Sequence, residues 1–244
     1  MVDASRVRSA MLIGREGVER LAGCRVAVFG LGGVGGYAAE ALARSGVGAL
    51  DLVDGDVVAQ SNLNRQLIAL QGTVGQGKAE LMARRVLDIN PDAQVRTYPV
   101  YYTADNAGEF DLSRYDHVLD CVDMVSAKVE LAVRAQAALV PLISAMGAGN
   151  KLDPTCLRVG DLFETTVCPL ARVMRRELRA RGIARLPVAY STEVPLQPQS
   201  QQEADDPTAQ ASARRATPGS MAFVPGAMGL AMASYVVRAL LSRG

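Results

Sequence analysis

Apolar positions along the chain form short, almost unbroken runs that alternate with longer helical stripes, and this alternation predicts the architecture. Residues 25–29 (RVAVF) are nearly all apolar and stop at a glycine, as a buried strand does. Residues 34–44 are small and apolar, and predict a helix that can lie close against a sheet. Residues 49–53 (ALDLV) predict a second strand ending at Asp54. The short connections make these three pieces a βαβ unit with a right-handed parallel crossover. The pattern then repeats as a helix over 74–88, strands over 93–100 and 117–122, a helix over 125–139 and a strand over 140–145. An amphipathic helical arm over 6–21 precedes the whole. The expected fold is α/β: a Rossmann-like, doubly wound, mostly parallel sheet.

The remainder is less regular and reads as a partly antiparallel C-terminal part. Strands are expected over 157–162 and 187–190, and a helix over 169–181. Residues 196–219 are rich in Gln, Pro, Ala, Ser and charge without an apolar face, the composition of a mobile loop. Residues 225–241 are the most membrane-like stretch. Their shortness, Arg238 and small side chains favour a buried packing helix over a membrane span. A length of 244 residues suits one domain over 1–244. Within it, 5–150 reads as a nucleotide-binding part and 151–244 as a part for substrate and dimer contacts.

Composition narrows the class further. A formal charge of +1 gives no overall pull toward nucleic acid or membrane, so any such surface must be local. Cys24, Cys121, Cys156 and Cys168 form no C-x-x-C pair, which excludes a zinc ribbon and argues against a disulfide framework. With no apolar signal-peptide core at the N-terminus, the expected location is the reducing cytoplasm. The sole histidine, His117, opens a core strand and is a poor general base.

Gly30, Gly32 and Gly35 form G-x-G-x-x-G between a strand and a helix, with Gly33 as an additional glycine. Glycine there permits a tight turn, backbone approach to phosphate oxygens and close helix packing, while the helix N-terminus offers free N–H groups. Asp54 stands where a carboxylate accepts ribose hydroxyls. NAD, FAD and ATP all fit this much. The following run carries Asp56, Asn62, Arg65 and Gln66, with Lys78 at the head of the next helix. Arg65 and Lys78 suit a triphosphate and would have no task in a nicotinamide dehydrogenase. Asp123 ends a strand at the edge where such sheets bind ligands, and can hold Mg²⁺ between phosphates. Taken singly, Lys78 also reads as a solvated lysine, Arg65 as a surface ion-pair partner and Asp123 as a helix cap.

The strings Gly30-Leu31-Gly32-Gly33-Val34-Gly35, Ser61-Asn62-Leu63-Asn64-Arg65-Gln66, Gly77-Lys78 and Asp120-Cys121-Val122-Asp123 together resemble a known family. It is the adenylating domain shared by ubiquitin-activating enzymes and the bacterial sulfur-carrier activators of thiamine and molybdopterin synthesis. The resemblance implies ATP and Mg²⁺ as cofactors, Asp54 on ribose, Arg65 and Lys78 on phosphates and Asp123 on Mg²⁺. It also implies that Arg8 reaches the phosphates of a neighbouring subunit, hence a homodimer.

Sulfur-carrier activators usually hold zinc on two C-x-x-C pairs, which this chain lacks. Ile89-Asn90-Pro91, Asp153-Pro154-Thr155, Pro169-Leu170-Ala171 and Tyr190-Ser191-Thr192-Glu193 resemble instead the tRNA threonylcarbamoyladenosine dehydratase branch. That branch implies adenylation of the threonyl carboxylate of a modified tRNA base and its closure to a hydantoin-type ring. Adenylation of the C-terminal glycine of a ubiquitin-like sulfur carrier is the alternative, and a sulfurtransferase-type protein is a candidate partner. Cys168 precedes a helix from which a thioester cysteine could act, although the dehydratase chemistry needs no protein nucleophile. Arg172, Arg175, Arg176 and Arg179, with Arg181 and Arg185 beyond them, are either a solvated helix surface or contacts for tRNA phosphates.

Overall fold

The apolar runs become the middle of one seven-stranded sheet. In the computed structural model, which describes residues 4–197 and 218–242, the strands are β1 (Arg25–Phe29), β2 (Ala49–Val53), β3 (Gln94–Tyr98), β4 (His117–Asp120), β5 (Leu142–Ala145), β6 (Leu157–Asp161) and β7 (Pro187–Ser191). Their order is β3-β2-β1-β4-β5-β7-β6. All neighbours run parallel except β6, which pairs antiparallel with β7. The two central strands are buried almost completely, which is why their sequences show no alternation. His117 lies in this layer, buried, with its ring edge-on to Tyr235.

Helices cover both faces. α1 (Val7–Ala22), α2 (Gly35–Ser45), α3 (Lys78–Ile89) and α6 (Phe223–Leu241) pack on one side around Val26, Val28, Leu50 and Met232. α4 (Val125–Ala137) and α5 (Pro169–Arg179) pack on the other around Phe29, Leu131 and Met174. By length and composition α6 could cross a membrane, yet it lies along α2 with half of its most apolar stretch buried. Small residues permit that approach: a Cβ on Gly226 would sit 3.3 Å from the Tyr37 ring.

Three elements differ from expectation, the first being the strand expected over 117–122, which closes at Asp120 and leaves Asp123 three residues beyond it. The helix expected from residue 74 starts at Lys78, because Gly75 takes φ +84° and Gly77 pairs with Val57 in an isolated bridge. The N-terminal arm is broken at Gly14, where φ is 72° and ψ 171°. Of the stretch read as a mobile loop, 196–219, the described ends are held to Asn150. The Leu196 N–H donates to the Asn150 carbonyl (2.8 Å), and Gly219 exchanges backbone and side-chain hydrogen bonds with Asn150. Residues 198–217 lie outside the described residues.

Candidate active site

The sheet order reverses between β1 and β4, and the crevice beyond their C-terminal ends is where such sheets hold ligands. A cavity of about 570 Å³ opens there. Its wall combines the turn after β1 (Gly30, Gly32, Gly33), the end of β2 (Asp54, Asp56), the segment Asn62–Gln66, Lys78 of α3 and the end of β4 (Cys121, Asp123). Met146 to Gly149 after β5, Leu170 of α5 and Pro225 of α6 close the far side.

The glycine turn is required sterically. Gly30 has φ +85°, and a Cβ there would meet the Cys121 carbonyl oxygen at 2.7 Å. A Cβ on Gly35 would collide with the Gly30 carbonyl, so α2 could not start where it does. Gly35 thus shapes the turn without lining the cavity. The Asp54 carboxylate accepts the N–H of Leu31 (2.6 Å) and of Asp56 (2.8 Å), which locks the turn to the end of β2. Burial pushes the Asp54 carboxyl above its ordinary range despite nearby Lys78.

Lys78 is 4% exposed, so it is not a solvated lysine. Its ammonium donates to Asp56 at 2.8 Å. Tyr101, which the sequence reading overlooked, donates its hydroxyl to the other Asp56 oxygen. Burial pushes the Asp56 carboxyl up, but the Lys78 and Tyr101 hydrogen bonds outweigh it and hold the group below its usual range. The Asp56 bond raises the Tyr101 hydroxyl to about 12.

Arg65 is half-buried and has no carboxylate partner among the described residues. Its guanidinium donates to the Ser61 carbonyl (2.8 Å) and to Asn64 Oδ1 (3.0 Å), and burial lowers its pKa. Gln66 is buried on the same wall with Oε1 unpaired among the described residues, an acceptor left for a ligand. Asn62 is partly committed, since its Oδ1 accepts the Ala59 N–H. Asp123 does not cap α4: the cap position is Met124, and no side-chain bond is made there. Its carboxylate is exposed and faces the cavity. Among the described residues no cluster of three or more His, Cys, Asp or Glu could cage a metal. A single free carboxylate fits Mg²⁺ held mainly by phosphates, the usual habit of that ion.

Two supports behind the wall also escaped the sequence reading. Lys128 and Asp120 are both wholly buried and paired at 3.0 Å, with Ser144 hydroxyl donating to Asp120 at 2.5 Å. Asp120 also accepts the Val122 N–H, fixing the turn that carries Asp123. The available signal was a lysine on the apolar stripe of 125–137. Lys151, buried, donates to the Gly147 carbonyl at 2.7 Å and steadies the loop after β5. Cys168 is buried immediately before α5, with its sulfur close to Gly147.

Arg8 is exposed on α1 and does not line this cavity. The α5 arginines do not act as a set. Arg175 donates to the Thr165 carbonyl at 2.7 Å and is spent within the chain. Arg176 pairs with Glu177 and Arg179 lies over the Phe163 ring, while Arg172 is exposed.

The architecture and the cavity define an α/β nucleotide-binding protein with cations and one free carboxylate at the switch point. The chain belongs to the ThiF family, whose sequence profile matches residues 5–244. It is 43% identical to a tRNA threonylcarbamoyladenosine dehydratase of Bacillus subtilis over 96% of this chain and 93% of that one. It superposes with a TM-score of 0.87 on the Escherichia coli tRNA N6-threonylcarbamoyladenosine dehydratase in complex with ATP, at 32% identity, covering 99% of this chain and 97% of that one. The molybdopterin-synthase adenylyltransferase of Escherichia coli is 42% identical but matches only 57% of this chain and 54% of its own length.

Proposed function

We propose that this chain is an ATP-dependent tRNA threonylcarbamoyladenosine dehydratase. The observation that carries the reading is the full-length likeness to that enzyme in a chain whose cavity gathers a glycine turn, Arg65, Lys78 and Asp123. The sulfur-carrier alternative is matched over little more than half the chain.

The chemistry follows from the groups present. A carboxylate is a poor electrophile because its oxygen leaves badly. One threonyl carboxylate oxygen attacks the α-phosphorus of ATP and pyrophosphate departs, leaving an acyl-adenylate. The carbamoyl nitrogen, held beside the activated carbon in the same molecule, closes the ring and expels AMP. Asp54 would hold the ribose and the glycine turn the phosphates. Arg65 and Lys78 would neutralise charge as pyrophosphate leaves. Asp123 would hold Mg²⁺, which when bound supplies further neutralisation at the phosphates. Arg8 would complete the site of a second copy, making the enzyme a homodimer, and its place would be the cytoplasm, with the tRNA. The reaction transfers no sulfur, so a sulfurtransferase-type partner would act beside it rather than within it.

Purified protein, ATP and tRNA bearing threonylcarbamoyladenosine should yield AMP, pyrophosphate and a nucleoside lighter by one water. An unchanged nucleoside, with pyrophosphate released only on adding a carrier protein ending in Gly-Gly, would transfer the assignment to the sulfur-carrier alternative.

A further inference from the structure

A second cavity, of about 380 Å³, lies at the far end of α5, lined by Phe163, Arg179, Gly182, Ile183 and Ala184. Ile183 is buried and forms an apolar floor. The Arg179 guanidinium sits 5.3 Å from the centre of the Phe163 ring. Gly182, at φ +73°, turns the chain out of the helix, and a Cβ there would meet nothing within 4 Å, so that side stays open. From Pro169 to Arg185 the sequence carries six arginines against one glutamate, in a chain whose total charge is only +1. Arg185 stands 87% exposed beside the cup, touching Asp161 only at 3.6 Å.

The geometry points to this cup as a stacking site for one unpaired base of the tRNA anticodon loop. The inference rests on the proposed function and adds the place where the RNA is gripped beyond the reacting nucleotide. Single-stranded RNA is held by aromatic faces and guanidinium planes that stack on splayed bases, with cations along the backbone. Phe163 supplies the ring face, which the exposed Arg179 guanidinium now covers and yields to a base, and Arg179, Arg172 and Arg185 supply cations. Leu170, at the other end of the same helix, lines the nucleotide cavity. Nine residues of helix separate it from Arg179, about 14 Å at 1.5 Å per residue. That span lets one strand place the modified base at the first cavity and a loop neighbour in the cup. The excess of positive charge favours RNA over an apolar peptide as the occupant.

Two variants of the full-length enzyme test this. Phe163→Leu keeps an apolar side chain against the core but removes the aromatic face. It should raise KM for modified tRNA roughly 5- to 150-fold, the worth of one base–aromatic stack. KM for ATP and the salt dependence of tRNA binding should stay unchanged, since no charge is lost. The chain contains no tryptophan, so Phe163→Trp places its single tryptophan, excited at wavelengths beyond tyrosine absorption, in the cup. Its emission should be quenched on titration with an anticodon stem-loop RNA. A wild-type KM for tRNA in Phe163→Leu, or tryptophan emission unmoved by saturating RNA, would overturn the proposal. Emission that responds to a protein partner but not to RNA would overturn it equally. A wild-type enzyme that never converts tRNA removes the functional reading and the cup with it. Normal wild-type turnover with an unaffected Phe163→Leu enzyme removes the cup alone.

Discussion

Asp123, Arg65 and Lys128 show how differently charges behave in one site. Among the described residues Arg65 carries no carboxylate on its guanidinium, and Asp123 stands exposed on the cavity wall, so both are open to a nucleotide. Arg65→Ala and Asp123→Asn should therefore each lower AMP formation roughly 10²- to 10³-fold while leaving the unfolding midpoint in place. Wild-type turnover in either would mean that the reacting phosphate lies elsewhere. Lys128 is the converse, a wholly buried cation paired with a wholly buried Asp120. Lys128→Met should cost about 3–5 kcal/mol in urea unfolding, because it strands a buried carboxylate. A loss below about 1 kcal/mol would show that the buried pair contributes little to the fold. Cys168, buried beside Gly147, should tolerate Cys168→Ser with most activity kept; an inactive variant would reopen a thioester route.

At the scale of elements, the βαβ core was readable in the sequence because buried strands and a strict glycine turn leave little choice of residue. Gly30 and Asp54 could be placed directly after strands from the sequence, whereas Asp123, expected to end its strand, stands three residues past β4. The start of α3 is expected too early, although Gly75 and Gly77 are an available signal: glycine is a weak helix former, and here the chain turns at Gly75 and bridges from Gly77 to Val57. The Lys128–Asp120–Ser144 support was hidden for another reason: its partners come from three elements, and sequence pattern carries no record of which side chains meet. Likewise the α5 arginines read as a single patch until Thr165, Glu177 and Phe163 proved to occupy three of them differently. Between elements, Glu40 of α2 is gripped by Arg44 and by Arg85 of α3. Burial pushes Glu40 up, but the hydrogen bonds of Arg85 and Arg44 outweigh it and set the carboxyl below its ordinary 4.5. That contribution is present above pH 4.5 and is lost as pH falls through the lowered folded value. Glu40→Gln should thus lose roughly 1 kcal/mol near neutrality, a modest figure because Arg85 and Arg44 are 39% and 60% exposed. The melting curves of variant and wild type should converge on acidification; a gap independent of pH would assign the effect to packing.

For the whole molecule, the proposed dimer and the proposed order of bond making can each be tested. Arg8 does not line the cavity of its own chain, and if it serves a second copy as proposed, Arg8→Ala and Asp123→Asn should each be inactive alone. Mixed dimers should regain about a quarter of wild-type activity, since half the dimers then hold one intact composite site. No recovery on mixing would confine Arg8 to its own subunit. The measurement closest to the central claim follows an oxygen atom. Threonylcarbamoyladenosine labelled with ¹⁸O in its carboxylate, within tRNA, is converted with ATP in ordinary water, and the AMP is weighed. Attack of the carboxylate on the α-phosphorus followed by ring closure must leave one labelled oxygen on AMP and the other in the ring carbonyl. Labelled AMP together with a cyclised nucleoside is the predicted result. Unlabelled AMP, with the label wholly retained in the nucleoside or released as water, would contradict adenylation of the carboxylate.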